Sequence, residues 1–309
     1  MKILLTGSTG MVGSNVLEHP FIKDHEVLHP RSSELDLRNY DVTSTYIKKH
    51  RPDLIIHAAG LVGGIQANIA NPIGFLVDNL DMGRNIIMAA KEHGVPRFLN
   101  IASSCMYPKE GANPLKEEAI LTGALEPTNE GYAFAKIMAT RLCQYITETS
   151  EGYSYKTIIP CNLYGRHDKF SLEFSHMIPA VIRKIHEATI NGDDEVVIWG
   201  DGQSRREFMY AADLADFIGY AIERFDHMPQ NMNVGIGRDW TIEEYYKIIA
   251  KVIGFKGRFT NDLSKPSGMR QKLVDDTKLK TFGWSSKTSL EEGILNTYNY
   301  FKALDHGEI

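Results

Sequence analysis

The sequence predicts an α/β protein built on a doubly wound parallel sheet. Short apolar runs alternate with segments of helical spacing through the first half of the chain, and this alternation is typical of parallel sheets. One run, Asp53–Ala59, is almost continuously apolar, as strands covered on both faces are. After about residue 165 the alternation loosens, so we expect a second, smaller C-terminal α/β lobe.

The predicted elements follow in order along the chain. In the first part we expect strands at Lys2–Thr6, Glu26–His29, Asp53–Ala59, Arg97–Ala102 and Tyr155–Cys161, and helices at Met11–Glu18, Asn79–His93 and Tyr132–Glu148. In the second part we expect strands at Glu195–Trp199 and Asn231–Val234, and helices at Met177–Glu187, Asp213–Phe225, Thr241–Ile253 and Leu290–Phe301. This order divides the chain into domains at 1–164 and 165–309, with some later segments returning to the first domain.

Composition argues against several classes of protein. The chain has 309 residues, a net charge of −5 and 43% hydrophobic residues, which is ordinary for a globular enzyme and unlike a nucleic-acid binder. No apolar run approaches the ~20 residues that span a bilayer, and we expect no signal peptide. The chain has three cysteines, an odd number, and they lack metal-like spacing. This argues against both a disulfide framework and a metal site. We expect a cytoplasmic protein without nucleic-acid or membrane partners.

A glycine-rich turn directly follows the first predicted strand. It reads Gly7-Ser8-Thr9-Gly10-Met11-Val12-Gly13. Such glycines allow a tight turn and close approach of the backbone to a pyrophosphate, while the N–H groups of the next helix face the anion. An ordinary turn is the alternative, but strand, turn and helix have the order of a Rossmann-type dinucleotide site. The turn predicts cofactor contacts from Gly7, Thr9, Gly10, Met11, Val12 and Gly13.

The end of the second predicted strand favours NADP(H) over NAD(H). A carboxylate at this place binds the ribose 2′-hydroxyl, whereas an arginine accommodates a 2′-phosphate. The chain has Arg31 and Ser32 there; the alternative is a solvated loop arginine. Further on, Asp36 and Leu37 follow what we predict to be a third short strand. There they can contact the adenine edge of the cofactor or cap a helix.

A serine, a tyrosine and a lysine form the second motif. Tyr132 and Lys136 are spaced as YxxxK, which places both on one face of a helix. We expect the lysine cation to lower the pKa of the phenol, so that the tyrosine can exchange a proton with a carbonyl oxygen. Ser103 ends a predicted strand about thirty residues earlier, where its hydroxyl can bind the same oxygen.

Glycine turn, strand-end serine and YxxxK, in this order, resemble the short-chain dehydrogenase/reductase superfamily. Ala58 and Ala59, at the end of a buried strand, and Asn79 in the next helix fit that pattern. The resemblance implies a Rossmann-type fold, cofactor contacts from Ala58, Ala59, Tyr132 and Lys136, and reduction of a carbonyl group. A non-catalytic NADP-binding protein on this fold would be expected to have lost part of the Ser-Tyr-Lys set, which is intact here.

Longer motifs narrow the resemblance and extend it over nearly the whole chain. They are Val62–Asn68, Ser103–Lys109, Glu126–Glu130, Asn162–Gly165, Ser175–Ala180, Arg206–Phe208 and Ser264–Pro266. Together they resemble the GDP-L-fucose synthases, the 3,5-epimerase/4-reductases of GDP-4-keto-6-deoxy-mannose. The resemblance implies a homodimer that pairs helices Pro72–His93 and Tyr132–Glu148.

The same resemblance implies roles for further residues. Cys105 would be the base and His176 the acid of epimerisation, since a thiolate and an imidazole can exchange protons at the carbons beside a ketone. Arg206 and Lys272 would hold the substrate pyrophosphate, with Trp199 packing nearby and Asn162 contacting the sugar. From the residues alone, Cys105 can equally be a packed thiol, His176 a helix cap and Arg206 a surface residue.

Two departures from the family pattern leave the substrate open. Thr9 stands where the family often has a basic residue, and residues 166–170 read Arg-His-Asp-Lys-Phe where the family usually reads close to PHDNF. We predict NADPH-dependent C4 reduction of a GDP-4-keto sugar with C3/C5 epimerisation, giving GDP-L-fucose or a close relative. The alternative is a C4 reductase only, acting on another GDP-4-keto sugar, such as a heptose, of a surface polysaccharide pathway.

Overall fold

Strands and helices alternate along most of the chain. The computed structural model describes residues 1–172, 175–264 and 269–304. The strands in chain order are β1 (Lys2–Thr6), β2 (Glu26–Leu28), β3 (Leu54–His57), β4 (Arg97–Ile101), β5 (Ser154–Pro160), β6 (Asn162–Tyr164), β7 (Glu195–Trp199), β8 (Arg205–Arg206), β9 (Phe208–Tyr210), β10 (Asn231–Val234), β11 (Trp240–Thr241), β12 (Arg258–Asp262) and β13 (Gln271–Lys272). The helices are α1 (Met11–Glu18), α2 (Tyr40–His50), α3 (Ile65–Ala70), α4 (Pro72–Glu92), α5 (Glu130–Thr149), α6 (Met177–Asn191), α7 (Ala211–Glu223), α8 (Ile242–Ile253), α9 (Thr277–Phe282) and α10 (Leu290–Ala303).

A parallel sheet of six strands forms the centre of the fold. Its strands lie in the order β10-β5-β4-β3-β1-β2. The direction of winding reverses between β1 and β3, and open α/β sheets bind ligands in the crevice beyond the carboxyl ends of the strands at such a point. The predicted doubly wound parallel sheet is therefore confirmed, and the crevice beyond β1 and β3 is where a cofactor is expected.

Both faces of the sheet are buried, which explains the apolar runs in its strands. Ile3 and Leu5 of β1 face a core that includes Val16 of α1 and Phe217 of α7. Their neighbour Leu4 faces the opposite way, into a core with residues of α2, α4 and α5 that include Ile47, Ile86 and Cys143. Successive side chains of a strand point to opposite faces, so one short segment anchors helices on both sides.

A third hydrophobic core is built from later parts of the chain. Tyr164, Phe170, Ile182, Tyr245 and Ile294 belong to it, together with other residues of α6, α8 and α10. Around this core lie three small sheets, which pair β12 with β7, β6 with β9, and β8 with both β11 and β13. Helix α8 begins at a capping box in which Thr241 and Glu244 satisfy each other's backbone N–H groups.

The structure differs from the prediction in places. The third short strand expected ahead of Asp36 is wrong: the N–H groups of Glu34 and Leu35 both bond to the Arg31 carbonyl, and Asp36 accepts from the Arg38 N–H. Such local bonds form turns instead of a ladder. Several short elements were not predicted, namely α2, α3, β6, β8, β9, β11 to β13 and α9. Residues 173–174, 265–268 and 305–309, including Lys265 and Pro266 of one motif, lie outside the described residues.

Candidate active site

The glycine turn lies where the chain is too crowded for side chains. Gly7 has φ +69°, and a Cβ atom on it would lie 2.6 Å from the Ala59 nitrogen. A Cβ atom on Gly13 would lie 2.2 Å from the Gly7 carbonyl oxygen. Helix α1 follows with Gly10 at its N-cap and no side-chain hydrogen bond there. The turn therefore keeps a bare backbone and uncapped N–H groups at a helix start, and this arrangement fits a dinucleotide pyrophosphate.

Side-chain hydrogen bonds tie this turn to the ends of three strands. The Thr6 hydroxyl pairs with His57 Nδ1 at 2.9 Å and accepts from the Ala59 N–H at 3.3 Å. Burial lowers the pKa of His57 to about 3, with a smaller contribution from Lys136, so the imidazole is neutral. The Ser8 hydroxyl donates to the His29 carbonyl at 3.1 Å, just beyond β2. The predicted cofactor residues Ala58 and Ala59 thus border Gly7.

The residues after β2 are arranged only partly as predicted. Arg31 and Ser32 are exposed at the end of this strand, where a phosphate can reach them. The Asp36 carboxylate binds Arg38 through two hydrogen bonds of 2.9 Å, and Leu37 packs its side chain into the core. Arg38, which was not predicted, therefore adds a second cation to this region, 3.8 Å from Asp78. A second arginine seven residues after Arg31 was the signal available in the sequence.

Ser103, Tyr132 and Lys136 come together at the end of β4. The Ser103 and Tyr132 side chains are hydrogen-bonded. The Lys136 ammonium lies 5.7 Å from the centre of the Tyr132 ring and donates to the Ile101 carbonyl at 3.0 Å. Burial lowers the pKa of Lys136 to about 8, although the nearby Cys105 acts in the opposite direction.

The pKa of Tyr132 corrects one expectation. Its phenol was expected to have a lowered pKa, yet burial and the neighbouring Cys105 raise the pKa, and the hydrogen bond from Ser103 offsets this only in part. The physical reason is that removing a phenolate from water costs more than the local donor returns. Tyr132 is therefore protonated near neutral pH, the form that a proton donor requires.

Cys105 has hydrogen-bond donors on its sulfur. The Asn129 side-chain amide donates to Sγ at 3.3 Å, and the Lys272 ammonium lies 3.7 Å from the same atom. Cys105 is partly exposed, whereas Cys143 and Cys161 are buried, and burial raises the pKa of both of those thiols. Of the three cysteines, Cys105 is therefore the one whose sulfur is both accessible and contacted by hydrogen-bond donors.

His176 stands at the N-cap of α6 without a side-chain hydrogen bond to the helix. Its imidazole is therefore not used for capping. Burial lowers its pKa, and the positive charges of Lys272 and Lys169 lower it further. Lys272 thus contacts Cys105 and lies close enough to His176 to affect its charge, which brings the predicted base and acid into one neighbourhood.

Arg206 and Lys272 are paired by the backbone. They are direct partners in the parallel ladder of β8 and β13. Lys272 is buried and Arg206 is partly buried. Burial lowers the pKa of Arg206, which the nearby Glu126 partly offsets. Two neighbouring cations with little access to water form a site suited to a pyrophosphate.

Asn162 and Trp199 occupy different settings. The Asn162 amide donates to the Glu207 carbonyl at 2.9 Å, one residue after Arg206, so it lies beside the cation pair. Trp199 ends β7 with 51% of its surface exposed, where its ring can cover a flat ligand. The structure gives neither residue a direct contact with the Ser103 group.

Two residues that were not predicted to act also border the site. The Glu126 Oε2 and Asn129 Oδ1 atoms are buried without a hydrogen-bond partner among the described residues, and Glu126 lies 3.9 Å from the Lys109 ammonium. Buried polar atoms are normally satisfied, so these two oxygens mark places for a polar ligand. Both residues lie in the Glu126–Glu130 motif, for which the sequence alone indicates no individual roles.

Over residues 1–172, 175–264 and 269–304, no cluster of histidine, cysteine and acidic side chains is arranged to hold a metal ion. Among the helices described for this chain, none is long and apolar enough to cross a membrane.

Most of the chain matches one known protein family. Residues 3–237 match the NAD dependent epimerase/dehydratase family. The chain belongs to this family. Its membership in the NAD dependent epimerase/dehydratase family agrees with the nicotinamide cofactor expected from the sequence and with the bare glycine turn of the structure.

Individual relatives within this epimerase/dehydratase family are similar over nearly their whole length. The chain is 59% identical to a GDP-L-colitose synthase from Yersinia pseudotuberculosis, covering 97% of this chain and 98% of that protein. It is 48% identical to a GDP-L-fucose synthase from Azorhizobium caulinodans, covering 97% and 96%. A solved GDP-mannoheptose C4 reductase from Campylobacter jejuni with NADP bound superposes with a TM-score of 0.86 at 29% identity, covering 98% of both chains. The resemblance predicted from the sequence is confirmed.

Proposed function

We propose that this protein reduces the C4 ketone of a GDP-linked 4-keto-6-deoxy sugar with NADPH and also epimerises that sugar, giving GDP-L-fucose or a close relative. One observation carries the proposal: the Ser103, Tyr132 and Lys136 group of a carbonyl reductase shares Cys105 with a second group formed by Asn129 and Lys272, beside His176. Reduction and proton exchange at carbon can therefore occur at one bound ketone.

Epimerisation uses the acidity of carbons beside the ketone. The Cys105 thiolate removes a proton from such a carbon, and the negative charge moves to the ketone oxygen, which the Ser103 and Tyr132 hydroxyls stabilise. His176, in its protonated form, returns a proton to the opposite face of the carbon. The positive charge of Lys272 lowers the pKa of His176, which makes its imidazolium a stronger acid, and the same ammonium lies 3.7 Å from the Cys105 sulfur.

Reduction follows at the same oxygen. NADPH, when bound, supplies the hydride for C4. Tyr132 donates its phenolic proton to the oxygen, and Ser103 holds that oxygen by a hydrogen bond. The buried Lys136 ammonium then stabilises the phenolate that remains. The glycine turn, Ala58 and Ala59 would hold the pyrophosphate side of the cofactor, with Arg31 and Ser32 at the 2′-phosphate.

The substrate would be held mainly through its pyrophosphate. Arg206 and Lys272 form the paired cations for this group, and a poorly hydrated arginine binds phosphate oxygens strongly. Asn162 would contact the sugar, and Trp199 would pack on the nucleotide. The Glu126 and Asn129 oxygens that lack a hydrogen bond among the described residues can accept hydrogen bonds from sugar hydroxyls.

A second candidate is the colitose sugar. The identity to a GDP-L-colitose synthase, 59%, exceeds that to the fucose synthase, 48%. Colitose is fucose without the hydroxyl at C3, so in its precursor C3 has no configuration to invert and only C5 is epimerised. The chain is also similar to a solved GDP-mannoheptose C4 reductase. Reduction at C4 without epimerisation is therefore the third possible outcome of the test.

The chain would be organised as two domains and assembled as a homodimer. We place the NADP-binding domain at 1–164 and the mainly substrate-binding lobe at 165–309, with β10 returning to the main sheet. The dimer is supported by apolar side chains exposed on α4 and α5, including Ile73 and Phe134. Unpaired cysteines suit the reducing cytoplasm, where the product would serve surface polysaccharide synthesis.

The first test is incubation of the protein with GDP-4-keto-6-deoxy-mannose and NADPH in D₂O. We expect loss of the absorbance of the reduced nicotinamide and a product with deuterium at both C3 and C5. The same incubation with the 3-deoxy precursor, compared by kcat/KM, decides between fucose and colitose. NADPH consumption without carbon-bound deuterium would leave a reductase alone, and no consumption with either sugar would contradict the proposal for these hexoses.

Matched variants separate the two half-reactions. Tyr132→Phe should lower kcat for NADPH oxidation about 10²–10⁴-fold, the usual contribution of a general acid, while deuterium exchange without NADPH continues. Cys105→Ala should abolish that exchange. Cys143→Ala, which alters a buried thiol in α5, is the control and should leave both rates unchanged.

A further inference from the structure

The segment that leads to His176 begins with a departure from the family pattern. Arg166 and His167 follow Gly165, and Arg166 stands where the family pattern usually has proline. Arg166 also lines a cavity of about 470 Å³ with Tyr210, Asn296 and Tyr300. This side of the segment is therefore not held by tight packing, and specific contacts must keep it in place.

Those contacts are made with α1, the helix that follows the glycine turn. Glu18, the last residue of α1, has its Oε1 atom 3.2 Å from an Arg166 guanidinium nitrogen and 2.7 Å from His167 Nε2. Asn15 donates from its side-chain amide to the Arg166 carbonyl at 3.1 Å. Asn15 and Glu18 are three residues apart, so they share one face of the helix.

The backbone at His167 needs these contacts. His167 has φ +66°, a left-handed conformation that residues other than glycine keep only where the surroundings impose it. Its second ring nitrogen pairs with the Tyr300 hydroxyl of α10 at 3.2 Å, and the Arg166 guanidinium lies 5.8 Å from the Tyr300 ring centre. Both imidazole nitrogens are thus engaged, one with each helix.

Asn15 makes the connection continuous with the cofactor site. It is buried in α1, and its amide also donates to the Met11 carbonyl in the first turn of that helix at 2.8 Å. One amide therefore bonds both to the turn that faces the predicted pyrophosphate and to the segment ahead of His176. A lone exposed ion pair contributes little, but here the buried Asn15 amide bonds Arg166, and the Glu18 carboxylate contacts both Arg166 and His167.

We propose that Asn15 and Glu18 are positioning residues that clamp residues 165–168 onto α1 and so couple cofactor binding to the placement of His176. The inference rests on the proposed function for the role of His176, but the clamp itself can be observed without turnover. A cofactor that orders α1 then also orders the segment leading to the acid of epimerisation, and the two sites are linked by a shared element.

Hydrogen exchange with mass spectrometry tests the clamp. In Glu18→Gln, without cofactor, we expect amides of residues 165–172 to exchange about three- to tenfold faster than in the wild type, a modest coupling. Saturating NADP⁺ should slow exchange in this segment in the wild type and much less in the variant. The charge-swapped double variant Glu18→Arg with Arg166→Glu should restore protection. Asp226→Asn, which breaks the exposed Arg97–Asp226 pair, is the control. It should leave the exchange of residues 165–172 unchanged, both without and with NADP⁺.

The outcomes separate the clamp from the function. If residues 165–172 of Glu18→Gln exchange at the same rate as in the wild type, both with and without NADP⁺, the clamp is overturned whatever the enzyme catalyses. Faster exchange in this variant with no NADP⁺ protection of residues 7–13 in the wild type would support the clamp and contradict the proposed cofactor. In turnover, deuterium exchange into the sugar should fall about three- to tenfold in Glu18→Gln while KM for the sugar stays within about twofold, and the swapped pair should recover the rate.

Discussion

Lys136 illustrates how one residue can serve chemistry at the expense of stability. Its side chain is 7% exposed, and its ammonium donates to the Ile101 carbonyl. Burial lowers its pKa from 10.5 to about 8. A lysine with a lowered pKa in the folded state destabilises that state at pH values below the lowered pKa, and the penalty disappears as the pH rises from about 8 to 10.5.

We therefore expect Lys136→Met to stabilise the protein at pH 7 while removing reductase activity. The lowered pKa corresponds to about 3 kcal/mol at ~1.36 kcal/mol per pKa unit, and the hydrogen bond lost at Ile101 reduces this gain by about 1 kcal/mol. Urea unfolding at pH 7 and pH 10 measures the effect. The stabilisation should shrink at the higher pH, whereas the exposed Lys251→Met should show no such trend; equal effects at both pH values would refute the explanation.

The residues of the site differ in how far sequence could place them. Ser103, Tyr132 and Lys136 follow from spacing, because a helix brings positions four apart together and the serine ends a strand. Asn129 and Glu126 could not be assigned, since their roles depend on which atoms remain unpartnered after folding. The raised pKa of Tyr132 could not be predicted either, because burial is a property of the packed structure.

At the scale of elements, the turn after β1 combines two demands on one glycine. Gly7 has a left-handed backbone, and it also touches the backbone at Ala58 and Ala59. Gly94 has a similar φ of +74° but nothing within 4 Å of where a Cβ atom would be. Substitutions at Gly7 and Gly94 therefore separate two effects on the free energy of unfolding, that of the left-handed backbone and that of crowding around the new side chain.

Gly94→Ala should lower the free energy of unfolding by about 1 kcal/mol, the cost of a left-handed alanine. Gly7→Ala should cost about 2 kcal/mol more, because the methyl group would force β1 and β3 apart, and it should also weaken NADP⁺ binding. Denaturant unfolding and titration with NADP⁺ measure the two quantities. Equal losses of stability in both variants would show that crowding at Gly7 is unimportant.

Long elements were predicted better than short ones. The central strands and the helices α4 and α5 are buried over many residues, so their periodicity is visible in the sequence. Strands such as β8, β11 and β13 have only two residues each, and a segment of that length becomes a strand only because a partner lies beside it. The ladder that pairs Arg206 with Lys272 was therefore beyond sequence analysis.

At the scale of the whole molecule, the neighbouring helices α4 and α5 both expose apolar side chains. Ile73 is 76% exposed and Val77 42%, one turn apart on α4, while Phe134 is 46% and Tyr145 56% exposed, about three turns apart on α5. Helices α4 and α5 pack side by side. Apolar side chains grouped on adjacent helices are typical of an interface between subunits.

Ile73→Glu should convert the proposed homodimer to a monomer, because a buried, unpaired carboxylate in each subunit opposes association. Ile190→Glu is the matched control, since Ile190 is 70% exposed on α6, a helix that packs against α8 and α10. Light scattering on a sizing column gives the mass of each variant. A wild-type monomer, or a dimer that survives Ile73→Glu, would exclude α4 and α5 as the interface.

The position of β10 in the central sheet has a consequence for how the chain matures during synthesis. This strand pairs along β5, yet it is translated some seventy residues after β5 ends, when more than half of the third hydrophobic core has also emerged. Until then the edge of β5 has unpaired N–H and C=O groups, which invite pairing with other chains. The nascent protein is thus most prone to aggregation late in translation, and residues 1–164 released alone would retain that open edge permanently.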